Sequence, residues 1–329
     1  GGYPLHGLRL AMKGRIGMAV YPHDTSEPET LLRYARVALR EACPQRGEHC
    51  HFFAAEQLDN LRNRVWMAAE IEQAIEQERV VLHYQPQYAI DTQRIIGVEA
   101  LVRWEHPRLG FVPPVEFIPV AEEAGLIGRL GEFVMRTACR QAKAWSAQGA
   151  GEVRVAVNLS GRQFYDGSLT KVVAEILAET GLEAHRLELE LTESMVMKDP
   201  KITVASLHEL KQMGVTISVD DFGTGYSSLA YLKRYPLDTL KVDRSFVRDI
   251  ATDPDDAAIT NAIIAMAKSL GLRVVGEGVE TIQQLEFLMD KGCDVAQGYL
   301  LGEPAPAATA EAMLGESFAL EQRKNKQLV

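Results

Sequence analysis

Acidic and amide side chains stand at the ends of successive short apolar segments in this chain of 329 residues. In order, the segments are IIGVEALVRW, VRVAVNLS, LELELTES, VTISVDDFGTG, LDTLKVD, RVVGEGVE and DVAQGY. The polar side chains that they carry are Glu99, Asn158, Glu190, Glu193, Asp220, Asp221, Lys241, Glu277, Glu280 and Gln297. Segments this apolar are usually buried on both faces, where an unpaired acid is costly. A single such acid usually forms a salt bridge or caps a helix, but the series favours a shared metal site.

Carboxylate and amide oxygens select hard cations such as magnesium, manganese or calcium. Asp220 and Asp221 are adjacent, so they could face one ion each or bridge two. Two neighbouring ions suit phosphodiester hydrolysis, because they activate a water and stabilise both the attacking and the leaving oxygen. Lys241 could orient or deprotonate that water, or neutralise charge on the phosphorane. Arg103 could bind a phosphate bidentately, although an ordinary surface arginine is the alternative.

The segment DDFGTGYSSLAYL, which begins at Asp220, combines glycines with small hydroxyl residues. This composition is typical of a loop that approaches a ligand closely and moves. Glu193 could hold the loop by hydrogen bonds, and its spacing fits an acid at a helix N-terminus equally well.

Predicted helices that end at a glycine alternate with the apolar segments; the glycines are Gly149, Gly181, Gly214, Gly271 and Gly292. Strict alternation of helix and buried strand predicts a parallel sheet. About 240 residues of such units is the size of a (β/α)8 barrel, in which catalytic groups lie at the C-terminal ends of the strands. A doubly wound open sheet would instead place its ligands at one switch point. The pattern therefore favours an α/β fold with a (β/α)8 TIM-like barrel.

We predict four regions: an N-terminal segment of residues 1–58, a linking helix of residues 59–79, the barrel of residues 80–312 and a polar tail of residues 313–329. Between Arg15 and Glu56 the pattern predicts a β-α-β unit, with RIGMAVYP and CHFFAA as its strands. Such a unit is too small to be stable alone, so we interpret it as the end of a longer domain.

The net charge of −10 argues against a DNA-binding protein, which needs a basic surface. No apolar run reaches the roughly 18–20 residues of a membrane helix, and no signal segment opens the chain. The cysteines are scattered without a CxxC motif, which favours reduced thiols and a cytoplasmic location; they are Cys43, Cys50, Cys139 and Cys293.

Several motifs occur in a fixed order between about Arg64 and Ala310: YQPQ, EALVRW, EFIPVAEEAGLI, VNLS, ELTES, DDFGTGYSS, LKVDRSFV, GEGVET and QGYLLGEP. Together they resemble the EAL-domain family of cyclic-di-GMP phosphodiesterases. The resemblance implies a barrel whose first strand is antiparallel to the others, and hydrolysis of cyclic-di-GMP to linear pGpG with two Mg²⁺ or Mn²⁺ ions. It also implies a homodimer that pairs through the barrel near the loop after Asp221.

The resemblance further implies roles for individual residues. At each expected catalytic position, this chain has the residue that is usual in the family. The expected metal ligands are Glu99, Asn158, Glu190, Asp220, Asp221 and Glu277. The expected catalytic residues are Lys241, which handles the attacking water, together with Glu99 and Glu277. The expected substrate contacts are Gln85, Leu101, Arg103, Asn158, Asp221, Gln297 and Pro304. The expected supports of the loop and the site are Glu193, Asp243 and Glu280.

The N-terminal segment resembles the last β-α-β part of a GGDEF diguanylate-cyclase domain, through RIGMAVYP and LLRYARVALREA. The GGDEF loop is absent and Arg36 stands where that family usually has an aspartate, so we expect no cyclase activity. An upstream sensor or cyclase portion is expected in the full-length protein, and it could attach that protein to a membrane.

Two alternatives to a phosphodiesterase remain. A receptor that binds cyclic-di-GMP without hydrolysing it would carry the same site in an inactive loop conformation. An enolase-type barrel also combines strand-end acids with a lysine, but around one essential metal site and a carboxylate substrate. The adjacent aspartates and Arg103 favour two metals and a phosphate.

Overall fold

The structure is a computed structural model, and it describes residues 3–5, 8–10, 14–41, 49–149, 151–225 and 232–314. Most of the predicted polar tail, Cys43 and part of the loop after Asp221 lie outside these ranges. The chain divides into two compact units, Gly1–Glu70 and Ile71–Val329. None of the described helices is long and apolar enough to cross a membrane.

The first unit contains a β-α-β arrangement, as the sequence predicted. Strands β3 (Ile16–Met18) and β4 (Cys50–Phe52) pair in parallel, and helix α1 (Pro28–Glu41) connects them. An antiparallel pair that the sequence pattern did not indicate precedes them, formed by β1 (Tyr3–Leu5) and β2 (Leu8–Leu10). The helix expected at residues 59–79 is α2 (Glu56–Glu76), and the division between the units falls within it.

The second unit is built from strands that alternate with helices. Its strands are β5 (Val80–Ala89), β6 (Arg94–His106), β7 (Gly110–Val112), β8 (Arg154–Asn158), β9 (Leu187–Thr192), β10 (Thr216–Phe222), β11 (Thr239–Val242), β12 (Arg273–Gly276), β13 (Val295–Ala296) and β14 (Ala305–Pro306). Its helices are α3 (Pro114–Glu123), α4 (Ile127–Ala147), α5 (Gly161–Tyr165), α6 (Leu169–Thr180), α7 (Glu193–Lys198), α8 (Pro200–Gln212), α9 (Arg244–Arg248), α10 (Pro254–Ser269), α11 (Ile282–Asp290) and α12 (Ala307–Leu314). The five glycines predicted to end helices have φ between +66° and +90°.

Eight of these strands close into a barrel in the order β5-β6-β8-β9-β10-β11-β12-β13, and β13 pairs with β5. Strand β5 runs antiparallel to both of its neighbours, whereas the other pairs in the ring are parallel. The link from Ala89 to Arg94 is too short for a parallel crossover, so β5 and β6 form a hairpin. The barrel with an antiparallel first strand is therefore confirmed, and the open sheet is excluded.

The alternation in LELELT shows how the strands divide their side chains. Successive residues of a strand point to opposite faces. Leu187, Leu189 and Leu191 are fully buried on one face of β9. Glu188 and Glu190 lie on the other face, inside the barrel, where each forms an ion pair with another strand. The leucines of β9 thus pack on the outer face of the barrel, towards the helices, and the glutamates line its interior.

Asp238 ties the helix layer to the sheet at the start of β11. Its carboxylate accepts both the Lys211 ammonium of α8, at 2.8 Å from each oxygen, and the backbone N–H of Ile217, at 2.8 Å. We expect Asp238→Ala to lower the free energy of unfolding by about 2 kcal/mol, because a buried N–H and a charge lose their partner. Urea unfolding measures this loss.

The control is Glu175→Ala, which breaks the exposed pair of Lys171 and Glu175 on α6, 3.6 Å apart. An exposed pair contributes at most about 1 kcal/mol, and often nothing measurable. Equal losses in the two variants would contradict the role assigned to Asp238.

Candidate active site at the carboxyl ends of the barrel strands

Lys241 of β11 lies at the centre of a cluster of carboxylates contributed by four other parts of the barrel. Its Nζ is 2.6 Å from Glu277, 2.9 Å from Glu190, 3.4 Å from Asp220 and 3.5 Å from Glu99. Glu99, Glu190 and Asp220 belong to β6, β9 and β10, and Glu277 follows β12 directly. Closure of the parallel strands therefore brings residues from positions 99 to 277 around one ammonium group.

Burial and mutual repulsion govern the protonation of this cluster. Burial raises the pKa of Glu190 well above its usual range, and the neighbouring Glu99 carboxylate raises it further. Burial likewise raises the pKa of Glu277, against the attraction of Lys241. Burial opposes the charge on Lys241, but the surrounding carboxylates, Asp220 foremost, hold the pKa of the ammonium well above its usual value. Lys241 therefore stays protonated, whereas Glu190 and Glu277 keep their protons to a higher pH than exposed carboxyl groups do.

Two amide side chains orient Glu99. Asn158, the last residue of β8, donates from Nδ2 to Glu99 Oε1 at 2.7 Å, and Gln297 donates from Nε2 to Glu99 Oε2 at 2.6 Å. Burial alone would raise the pKa of Glu99. Attraction to Lys241 and these two hydrogen bonds instead hold its pKa below the usual value. Glu99 is thus the acid of the cluster that is fixed as a carboxylate.

A distortion of β10 brings both adjacent aspartates to the mouth of the barrel. The register between β10 and β11 shifts between Val219 and Phe222, and Asp221 has a φ of +55°. Such a bulge re-aims side chains that a regular strand would send to opposite faces. Burial, together with the charges of Asp220 and Asp243, raises the pKa of Asp221 to about 6.

The donor set of this cluster fits hard divalent cations. Both carboxylate oxygens of Glu190 are buried and, apart from the ion pair with Lys241, meet no hydrogen-bond partner in the part of the chain that the structure describes. When all five carboxyl groups (Glu99, Glu190, Asp220, Asp221, Glu277) are ionised, they exceed the one ammonium by four negative charges, which two divalent ions would balance. Among the described residues, no three His, Cys, Asp or Glu side chains already surround a common ion position.

Glu193, the first residue of α7, holds the segment that follows the aspartates. Its Oε2 accepts the backbone N–H of Gly223 at 2.8 Å and that of Gly225 at 3.4 Å. A Cβ on Gly225 would lie 2.8 Å from Glu193 Oε1, so the loop backbone approaches the carboxylate as closely as glycine allows. Residues 226–231 of the loop lie outside the described ranges.

We expect Glu193→Ala to speed hydrogen exchange of the Gly223 and Gly225 amides by about tenfold, because each loses a charge-assisted hydrogen bond. Gly225→Ala should have a similar effect by pushing the loop away from the carboxylate. Exchange resolved by mass spectrometry measures both variants. Gly128→Ala in α4 is the control, since a Cβ there meets no atom within 4 Å. Unchanged exchange in Glu193→Ala would show that the loop is held by other contacts.

A cavity of about 500 Å³ opens beside the cluster, where Asn158 belongs to its lining. Its lining includes Leu101, Arg103, Asn158, Ser160 and Met195, and therefore combines an apolar wall with a few polar groups. Arg103 is half-buried, which lowers the pKa of its guanidinium, and it donates from Nη1 to the carbonyl of Val102. Such a cavity suits a ligand that is part ring system and part anion.

Other residues predicted for the site lie at its edge or away from it. Gln85 is buried and donates from Nε2 to the carbonyl of Gly302 at 3.1 Å. The carbonyl of Pro304 lies 3.3 Å from His83 Nδ1, beside β5. Asp243 caps α9 by accepting the N–H of Ser245. Glu280 is exposed and lies near Arg248, not in the cluster.

Sequence reasoning assigned no role to Gln87, which the structure places inside the barrel with 1% of its surface exposed. It donates from Nε2 to Gln297 Oε1 at 3.0 Å. The signal was present in the motif YQPQ, because alternation along β5 puts Gln85 and Gln87 on the same face.

The barrel unit resembles proteins of known type. The EAL domain family matches residues 68–304. The chain is 44% identical over 306 residues to the bifunctional diguanylate cyclase/cyclic di-GMP phosphodiesterase MucR of Pseudomonas aeruginosa, covering 93% of this chain and 44% of that protein. It is 43% identical over 310 residues to the cyclic di-GMP phosphodiesterase NbdA of the same organism, covering 94% of this chain and 40% of that protein. The chain thus spans less than half the length of these curated relatives.

Two solved structures resemble the protein. The MucR phosphodiesterase in complex with c-di-GMP has a TM-score of 0.72 and 48% identity, over 74% of this chain and 99% of that one. The EAL enzyme Bd1971, bound to cAMP and cyclic-di-GMP, has a TM-score of 0.75 and 28% identity, over 88% of this chain and 77% of that one. Since the family match includes every strand of the closed barrel and all the carboxylates of the cluster, the chain belongs to the EAL domain family, a family of metal-dependent phosphodiesterases.

Proposed function

We propose that the barrel hydrolyses cyclic-di-GMP to linear pGpG by attack of water on a phosphodiester. The observation that carries this proposal is the convergence of Glu99, Glu190, Asp220 and Glu277 on Lys241 at the mouth of the barrel. The excess of acidic groups over cationic groups there is the condition for holding divalent ions. The family and the activities for which two relatives are named supply the substrate.

We propose Glu99, Asn158, Glu190, Asp220, Asp221 and Glu277 as the ligands of two ions, Mg²⁺ or Mn²⁺. When bound, such ions would supply Lewis acidity and a water that deprotonates near neutral pH. Asn158 contributes its Oδ1 in this role, since its Nδ2 is engaged by Glu99. Glu193 and Asp243 fix the backbone on either side of this ligand set, and Glu280 supports the loop that carries Glu277.

The raised pKa of Lys241 bears on its part in the reaction. A protonated ammonium donates hydrogen bonds and cannot accept a proton. We therefore assign Lys241 to orienting the attacking water and to neutralising charge that develops on the phosphoryl oxygens. Glu99 and Glu277 would hold both the ions and this ammonium in place.

The cavity beside the cluster is the proposed binding region for the dinucleotide. Arg103 would bind a phosphate and Leu101 would pack against a base, next to Asn158 and Asp221. Gln85, Gln297 and Pro304 would border the ligand on the β5 side. This division agrees with the apolar wall and the half-buried guanidinium of the cavity.

Release of pGpG from the purified protein in Mg²⁺, Mn²⁺ and Ca²⁺ tests the proposal. We expect turnover in Mg²⁺ or Mn²⁺, and binding without turnover in Ca²⁺, which coordinates more loosely. Binding without pGpG in all three metals would establish a receptor instead. Anomalous scattering from manganese-soaked crystals counts the ions, and a single ion would favour the enolase-type alternative.

Three further properties are also proposals. We propose a homodimer that pairs through the barrel near the loop after Asp221, which light scattering on the purified chain tests. We propose a cytoplasmic location for the barrel, because the described cysteines Cys50, Cys139 and Cys293 are free thiols, as in a reducing compartment. The N-terminal β-α-β unit is proposed as the remnant of a GGDEF domain without cyclase activity, downstream of a sensor.

A further inference from the structure

A relay of three glutamine side chains leads from the interior of the barrel to Glu99. Gln87 donates from Nε2 to Gln297 Oε1 at 3.0 Å. Gln297 in turn donates from Nε2 to Gln85 Oε1 at 3.0 Å and to Glu99 Oε2 at 2.6 Å. Gln87, Gln297 and Gln85 are 1%, 3% and 8% exposed. Each hydrogen bond in this relay is therefore made away from bulk water, where a lost partner is costly.

Glu99, Gln85 and Gln87 together set the direction of the relay. If the amide of Gln297 turned over, its oxygen would face the Glu99 carboxylate and Gln85 Oε1, and both contacts would be repulsive. The donor on Gln87 secures the opposite orientation, because it occupies Gln297 Oε1. Gln87 Oε1 has no hydrogen-bond partner within the described ranges, so donation to Gln297 is the one polar contact that explains an amide at this buried position.

The strand opposite makes room for this side chain. Gln87 pairs with Gly97 across β5 and β6, and a Cβ on Gly97 would lie 3.2 Å from Gln87 Oε1 and 3.1 Å from the carbonyl of Arg154. Glycine at position 97 thus lets the amide lie flat inside the barrel, two residues before Glu99 on the same strand.

We propose that Gln87 is a positioning residue for the metal centre, acting through Gln297 on the orientation of Glu99; this rests on the proposed function, in which Glu99 is a ligand. Groups that hydrogen-bond to metal ligands orient them, and their loss typically weakens metal binding by about 10–100-fold. Gln87 does not contact Glu99 itself. It orients the amide of Gln297, which in turn orients Glu99.

Binding of Mn²⁺ followed by electron paramagnetic resonance tests this role without requiring turnover. Gln87→Met keeps the volume and removes the donor, and we expect its dissociation constant for Mn²⁺ to rise about tenfold. Gln87→Glu presents only acceptors to Gln297 and favours the turned amide, so its dissociation constant should rise further. In Gln87→Met, saturating Mn²⁺ should restore kcat to within a few fold, with KM for cyclic-di-GMP unchanged.

The matched control is Gln57→Met in the first unit. Gln57 is 8% exposed and its amide bonds to Ala54 and Phe52, so the variant also removes a buried amide with two hydrogen bonds. Thermal unfolding can change in all three variants, but the Mn²⁺ constant should move only in the two at position 87. Parent-like Mn²⁺ binding in Gln87→Glu would overturn the inference, even if Gln87→Met failed to fold. A parent protein that binds Mn²⁺ without releasing pGpG would contradict the proposed function. The Mn²⁺ dissociation constants of the parent and the variants could still be compared, so the role of Gln87 would still be tested.

Discussion

Lys241→Met is expected to lower the turnover of cyclic-di-GMP by about a hundred- to a thousandfold, the range typical for loss of a group that stabilises charge developing in the transition state. The same variant should bind Mn²⁺ more tightly than the parent. In the parent, the ammonium occupies the centre of the cluster and the ions must displace its contacts with Glu190 and Glu277. Methionine fills a similar volume but carries no charge, so it does not compete for these carboxylates.

The metal-free Lys241→Met protein should also be less stable, because the buried carboxylates then repel one another without a central cation. Ions that bind only the folded state restore stability, so Mn²⁺ should raise the melting temperature of the variant more than that of the parent. Lys211→Met is the control, because Lys211 pairs with Asp238 at the start of β11 and not with the carboxylate cluster. The assignment fails if Lys241→Met keeps parent-like turnover, or if it loses Mn²⁺ binding.

The fold and the membership of the carboxylate cluster were predictable because both follow from local patterns. Glycine stops and apolar runs repeat along the chain, and the C-terminal ends of parallel strands meet in a closed barrel. Glu99 and Glu190 could therefore be placed together although 91 positions separate their numbers. The antiparallel first strand was expected only from the family resemblance, and the short link between β5 and β6 gives it a physical reason.

Other features depend on register and closure, which no local pattern encodes. Gln87 and Gln297 meet only because β13 pairs with β5 at the seam of the barrel. The bulge that brings Asp221 to the mouth depends on the pairing of β10 with β11. The sequence pattern placed Lys241 among the acids but did not show that its ammonium lies at their centre. That position follows from side-chain geometry after the strands have closed.

Glu190→Gln is expected to separate stability from function. Glu190 is buried, its oxygens meet no hydrogen-bond partner among the described residues apart from the ion pair with Lys241, and Glu99 repels its charge. Removal of that charge leaves Lys241 paired with Glu277, Asp220 and Glu99. The metal-free variant should therefore be about 1–2 kcal/mol more stable than the parent, as is common when a strained functional group is replaced. Loss of a proposed ligand should lower turnover by at least about a hundredfold and weaken Mn²⁺ binding to a similar extent.

Glu188→Gln, two residues earlier on β9, is the matched comparison, with the same side chain, strand and burial. Glu188 forms a buried ion pair with Arg154 at 2.8 Å. Its loss leaves the guanidinium without its ion-pair partner and should cost about 3 kcal/mol. Because Glu188 lies outside the ligand set, Mn²⁺ binding should stay near that of the parent. Urea unfolding in EDTA, followed by Mn²⁺ titration of each folded protein, measures both effects. If both variants lose stability and both keep Mn²⁺ binding, Glu190 is an ordinary salt-bridged core residue, and the charge excess that supports the metal site is not there.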